Sequence, residues 1–301
     1  MGETTTAKKI RIAILPVAGF GTRVLPATKV VPKEMLPVVD RPALQYVVDE
    51  AFEAGIEHIV FITGRNKGSI EDYFDEAFEL EQTLVTKNKS ALADELKRLR
   101  PREGSVSFIR QQAARGLGHA VWCARDIVGD QPFAVLLPDV IIKSETGCLK
   151  QMMEAYADVG GNIIAVDKVP EADVNKYGVI APLETSGGDM KGPLISMSGM
   201  VEKPSIADAP SRFKITGRYI LQPNVMTLLA TQDTGAGGEI QLTDAMARAM
   251  ESGSPFHAFA YQGQDYDCGS KLGYFEAVLA HALDHPEIKD GAQALVNAAK
   301  A

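Results

Sequence analysis

The chain has 301 residues, 46% of them hydrophobic and 23% charged, which is enough to bury a large core and too apolar for a disordered chain. Its formal charge of −8, from 39 acidic and 31 basic residues, gives no global pull towards nucleic acid or an anionic membrane. The cysteines, Cys123, Cys148 and Cys268, form no CxxC pair, and no apolar run near the start suits a signal peptide or a membrane span. A cytoplasmic, reducing location is expected.

Residues 9–17 (KIRIAILPV) form an apolar, β-branched run that predicts a first strand, closed by the loop AGFGTR. From Pro42, the segment PALQYVVDEAFEAG sets Leu44, Val47, Val48, Ala51 and Phe52 on one helical stripe. Asp40 is a candidate cap for this helix, Pro42 suits its first turn and Gly55 its end. Residues 58–63 (HIVFIT) then read as a second buried strand, so a βαβ unit and a parallel sheet are expected. Residues 65–103 break the pattern. An acidic stretch from Glu71 to Glu81 precedes Lys97, Arg98, Arg100 and Arg102, which suggests an inserted helical pair with a solvated face or a subunit contact.

The alternation then resumes. Strands are expected at 106–111, 133–137, 162–169 and 213–221, with helices near 118–127, 224–230, 240–250 and 273–285. The Ala-rich residues 286–301 read as a loose tail. The fold expected is a single α/β domain with a Rossmann-like, mostly parallel mixed sheet flanked by helices. His281 and His285 stand four apart, a spacing that a metal can use, but they sit where a helix C-terminus before Pro286 favours histidine.

The loop at 19–23 is neither of the two common phosphate loops. A dinucleotide fingerprint needs glycine at 24, where Val24 stands, and a P-loop needs lysine after its last glycine, where Thr22 stands. What remains is G-x-G-T-R with Lys29 and Lys33 close behind. Gly19 and Gly21 allow a tight bend with exposed amides, Thr22 adds a hydroxyl, and Arg23 offers a planar fork suited to polyphosphate. Asp139, directly after the apolar run FAVLLP, brings a carboxylate to the C-terminal edge of a strand, where ligands of open α/β sheets bind.

The run PVAGFGTRVLPATKVVPKEMLPVVDRPALQYVVDEA at 16–51 closely resembles the start of bacterial UTP–glucose-1-phosphate uridylyltransferases, of the sugar-nucleotide pyrophosphorylase family. Further matches follow in order: RQQAARGLGHAV at 110–121, LLPDV at 136–140, KYGVI at 176–180, VEKP at 201–204, GRYIL at 217–221, GEIQLTDA at 238–245 and YDCGSKLGY at 266–274. Phe20 departs from the leucine common in relatives. The resemblance implies a nucleotidyltransferase fold, with a nucleotide-binding half over about 9–140 and a sugar-phosphate half over about 141–285. It also implies uridylyl transfer from UTP to glucose-1-phosphate with Mg²⁺ as cofactor.

By that resemblance, Asp139 and Asp267 ligate the metal, Arg23 faces the departing pyrophosphate and Lys33 the α-phosphate. Ala18, Gly19, Gly21 and Thr22 line the nucleotide, and Gln111 with Gly116 reads the base. The adjacent Gln112 competes with Gln111, since pleat alternation admits only one of the two. Lys203 holds the sugar phosphate, while Glu202, Gly178 and Tyr219 serve the sugar. A homo-oligomer, dimer or tetramer, is expected, with no nucleic-acid or membrane partner. Two other readings stay open: a thymidylyltransferase on glucose-1-phosphate, and a catalytically silent paralogue. A metal-dependent glycosyltransferase would need D-x-D, but Val140-Ile141 follows Asp139.

Overall fold

A computed structural model describes residues 8–183 and 193–299. Strand β1 (Ile12–Pro16) leads through the glycine loop to a small ladder, β2 (Pro37–Val38) with β3 (Arg41–Pro42), and then to helix α1 (Ala43–Glu53). Strand β4 (His58–Thr63) follows, then α2 (Gly68–Phe74), α3 (Phe78–Thr86), α4 (Ser90–Leu99) and β5 (Val106–Arg110). Next come α5 (Leu117–Trp122), α6 (Arg125–Val128), β6 (Phe133–Leu136), β7 (Val140–Lys143), α7 (Cys148–Val159) and β8 (Asn162–Lys168). Strands β9 (Gly178–Pro182), β10 (Leu194–Glu202) and β11 (Phe213–Leu221) precede α8 (Asn224–Ala230) and α9 (Leu242–Glu251). The chain then runs through β12 (Phe256–Ala260), β13 (Gln264–Asp267), α10 (Lys271–Ala282) and α11 (Lys289–Ala299).

The central sheet has nine strands in the order β5-β4-β1-β6-β11-β8-β12-β10-β9. Its first four strands are parallel, as are β8 and β12. Strand β11 lies antiparallel to both β6 and β8, and β10 is antiparallel to β12 and β9. The expected mixed α/β sheet is thus present, but its parallel character belongs to the N-terminal strands. Antiparallel neighbours need no helical crossover, and the second half of the chain uses them freely.

Both faces are covered, so the central strands are apolar throughout rather than alternating. On one face, Ala13 and Leu15 pack with Leu44, Val47 and Ala51 of α1 and with Leu149 and Met152 of α7. On the other, Ile12 and Ile14 pack with Val121, Val225, Leu242 and Met246 from α5, α8 and α9.

Several expectations need correction. The segment 65–103 holds three helices, not a pair, and the stretch near 118–127 divides at Cys123–Ala124 into α5 and α6. Pro42, not Asp40, occupies the N-cap of α1, and Asp40 instead accepts from His285 Nε2 at 3.1 Å. His281 Nδ1 meets the carbonyl of Ala277 at 2.8 Å, so both histidines have local partners. The tail forms helix α11 over Lys289–Ala299, because alanine, leucine and glutamine are strong helix formers even without a buried face. No helix among the described residues is long and apolar enough to cross a membrane.

Candidate active site

The glycine loop starts where β1 leaves the sheet. The amide of Val17 still donates to Ile62 O at 2.9 Å, and Ala18 then passes against Gly64, where a Cβ would stand 3.1 Å from the Ala18 carbonyl oxygen. Gly21 adopts φ +66°, in the left-handed region open to glycine, and a Cβ there would press on Thr28 and Lys33 at 3.2 Å. Thr28 Oγ1 donates to Gly21 O at 2.7 Å and fixes the bend. Thr22 and Arg23 form one turn of 3₁₀ helix anchored by buried Val24, which leaves Gly19, Thr22 and Arg23 facing out.

Asp139 lies just past β6, as a ligand at a strand's C-terminal edge should. Asp267 reaches it through a short antiparallel ladder in which β13 runs along β7 and Asp267 pairs with Val140. The amide of Cys268 donates to Asp139 O at 2.7 Å and closes the join. The two carboxylates meet the loop cations here. Arg23 Nη1 donates to Asp267 Oδ2 at 2.9 Å and its other end lies 3.6 Å from Asp139, while Lys33 Nζ donates to Asp139. Burial alone would raise the Asp139 carboxyl, but Lys33 and then Arg23 bring it below the ordinary range. Burial would likewise lower Lys33, yet Asp139 and Glu34 hold it above the usual lysine value. Asp139 and Lys33 therefore both stay charged at neutral pH.

Gly269 tests whether this group can hold a metal. A Cβ at that glycine would collide with Arg23 Nη2 and stand 2.7 Å from Asp139 Oδ2 and 2.9 Å from Asp267 Oδ1, so glycine is what lets both carboxylates and the guanidinium converge on one point. Two converging carboxylates suit a hard divalent cation that takes few protein ligands, in the place the Arg23 guanidinium holds here. Among the described residues no third His, Cys, Asp or Glu joins a candidate metal group.

Among the residues that the resemblance gives to the sugar, Glu202 ends β10 and accepts from Thr243 Oγ1 at 2.7 Å. A Cβ on Gly178 would stand 3.0 Å from Glu202 Oε2, so the glycine opens that face. Lys203 turns sharply away with φ +46°, its amide donating to Tyr177 O at 3.1 Å, and its ammonium is half exposed. Tyr219 does not form a wall of the site. It is 4% exposed and packs in the core, with its hydroxyl raised by burial and then by the charge of Glu202 and Asp139. Of the two candidates for the base, both just past the end of β5, Gln111 is buried and Gln112 exposed. Gln111 Nε2 donates to Gly116 O at 3.1 Å.

A family model described as nucleotidyl transferase matches residues 12–282. The chain belongs to that family. UTP–glucose-1-phosphate uridylyltransferase of Bacillus subtilis strain 168 is 46% identical over 94% of each chain. A UTP-bound UGPase from Acinetobacter baumannii superposes with TM-score 0.87 and 46% identity, over 96% of this chain and 99% of that one. A UDP-glucose pyrophosphorylase complexed with UDP-glucose superposes with TM-score 0.81 and 39% identity, over 91% and 98%. The resemblance read from the motifs is thereby borne out, and with it the enzyme class: this nucleotidyl transferase groups with the UTP–glucose-1-phosphate uridylyltransferases.

Three residues around the site escaped sequence reasoning. His119 and Thr243 sit inside the quoted motifs, but nothing in the spacing ties them to Gln111 and Glu202. Arg218 is fully buried, with Nη1 and Nη2 donating to Leu137 O at 3.1 Å and Val140 O at 2.9 Å, so it brackets the turn that carries Asp139. Gly116 shows how closely the site is packed. Its φ is +102°, and a Cβ would meet the Ile240 carbonyl oxygen at 2.7 Å and amide at 2.9 Å. Gly116→Ala is therefore expected to raise the KM for the nucleotide about tenfold or more, with a lower melting temperature, since backbone must move to admit the methyl.

Proposed function

We propose that this nucleotidyl transferase joins UTP to glucose-1-phosphate, giving UDP-glucose and pyrophosphate, by direct in-line attack of the sugar phosphate on the α-phosphorus of UTP. The observation that carries the reading is the meeting of Arg23, Lys33, Asp139 and Asp267 at the end of β6, beside a glycine loop in which Gly19 and Thr22 are exposed. Lys33 serves the α-phosphate and Arg23, the more exposed of the two, the departing pyrophosphate; Gly19, Gly21 and Thr22 line the phosphates with Ala18 at their edge. Lys203 holds the sugar phosphate, and Glu202 accepts from sugar hydroxyls over Gly178. Gln111 and Gly116 face the base.

The sugar phosphate has a second pKa of about 6, so it arrives already anionic and no general base is needed. The chain's task is to position two phosphate groups that repel each other, and to supply charge where charge develops. Asp139 and Asp267 would hold Mg²⁺, which screens the phosphates and polarises the oxygens around the reacting phosphorus. Until phosphates arrive, those carboxylates pair with Arg23 and Lys33, which keeps the cations extended towards the reaction centre. One sheet joins β6 of the nucleotide half to β11 of the sugar half, which supports a single working domain. Exposed Leu272, Phe275 and Leu295 on α10 and α11 support a homo-oligomer, and three free cysteines support a cytoplasmic location.

The test is pyrophosphate release with Mg²⁺, glucose-1-phosphate and UTP, dTTP or CTP in turn. UTP is expected to lead. Faster release with dTTP would sink the uridylyl assignment in favour of a thymidylyltransferase, and no release with any nucleotide would point to a silent paralogue.

A further inference from the structure

Uracil and cytosine have the same size, so a pocket that merely excludes purines cannot separate UTP from CTP. The difference is polarity: uracil carries an N–H at N3, and cytosine a lone pair. A glutamine amide can serve either base, depending on which way its oxygen and nitrogen point.

In this chain the amide of Gln111 is held on two sides. Its nitrogen lies 3.1 Å from the Gly116 carbonyl oxygen and 3.0 Å from His119 Nδ1. A carbonyl oxygen can only accept, so it selects the nitrogen end of the amide. It is also shared, because Ala120 N donates to the same oxygen at 3.1 Å. His119 supplies the second acceptor, provided its ring is neutral with the proton on Nε2. Its surroundings favour that form: burial first, then the positive charges of Arg115 and Arg125, keep its pKa below the ordinary histidine value. With both amide hydrogens engaged, only Oε1 of Gln111 is left to address a base.

We propose that His119 sets the pyrimidine specificity of the site by locking the Gln111 carboxamide with its oxygen towards the base, so that an N3–H edge is accepted and an N3 lone pair refused. His119 is thus a positioning residue, acting on the base through Gln111. The proposal rests on the reading of Gln111 as the residue that addresses the base.

The test compares kcat/KM for UTP and CTP, with glucose-1-phosphate and Mg²⁺, in the wild type, His119→Leu and His119→Asn. Removing the acceptor frees the amide to turn, and the UTP-to-CTP ratio is expected to fall about tenfold or more in His119→Leu. Asparagine places Oδ1 where Nδ1 stands, so His119→Asn is expected to restore most of the ratio. An undiminished ratio in the leucine variant would overturn the proposal, as would equal losses in both variants, which would mark a packing role only. His119→Ala gives the same comparison if leucine is not tolerated. Failure of the wild type to use UTP would instead overturn the functional reading, and is seen before any substitution is made.

Discussion

Asp139→Asn is expected to lower pyrophosphate release from UTP and glucose-1-phosphate by about 10³-fold or more, the scale on which removing one preorganised charge-stabilising group acts. The substitution keeps the shape of the side chain and removes its charge. One of the two hard oxygens beside Gly269 then becomes a weak neutral donor, and Lys33 loses the partner that holds it in place. The fold should persist with a lower melting temperature, because buried Lys33 loses its main counter-charge but keeps that of Glu34. The checks are a steady-state pyrophosphate assay and a melting curve. Near-normal turnover would remove Asp139 from the metal site, whereas lost activity with lost folding would assign it a structural role.

The parts of this site that were legible in the sequence are those built from local pattern. The strand 9–17, the loop G-x-G-T-R and the stripe on α1 are contiguous, and each obeys a period or a turn rule. Asp139 was placed at a strand edge for the same reason, since FAVLLP is an unmistakable buried run. Asp267 was reached only through family order. It sits in QDYD, a short polar strand with no hydrophobic period, and its position depends on pairing with β7 more than a hundred residues earlier. Tyr219 shows the opposite failure. Its place in GRYIL made it a candidate for the sugar, but it alternates with Ile215 and Leu221 on the face of β11 that packs into the core. The helix at 289–299 was missed because its alanine-rich composition read as a loose tail, and no residue of it is buried against the domain.

The largest stability effect is expected at Arg218, which no local pattern marked. Its guanidinium grips Glu50 with two bonds, Nε to Oε1 at 3.0 Å and Nη2 to Oε2 at 2.7 Å, across 168 residues of sequence. Glu50 also accepts from Leu149 N at 3.0 Å, so α1, α7 and β11 meet at one buried ion pair. Arg218→Met leaves Glu50 charged and buried without its partner, which costs about 3–5 kcal/mol. It also releases the carbonyls of Leu137 and Val140 on either side of Asp139, so activity should fall even below the melting transition. Adding Glu50→Gln should recover much of the stability, because the uncompensated charge is gone, but not the activity, because the two carbonyls remain unheld. Chemical denaturation of the two single variants and the double variant measures the coupling. Recovery of stability and turnover together in the double variant would show that Arg218 acts only through Glu50 and has no part in holding the Asp139 turn.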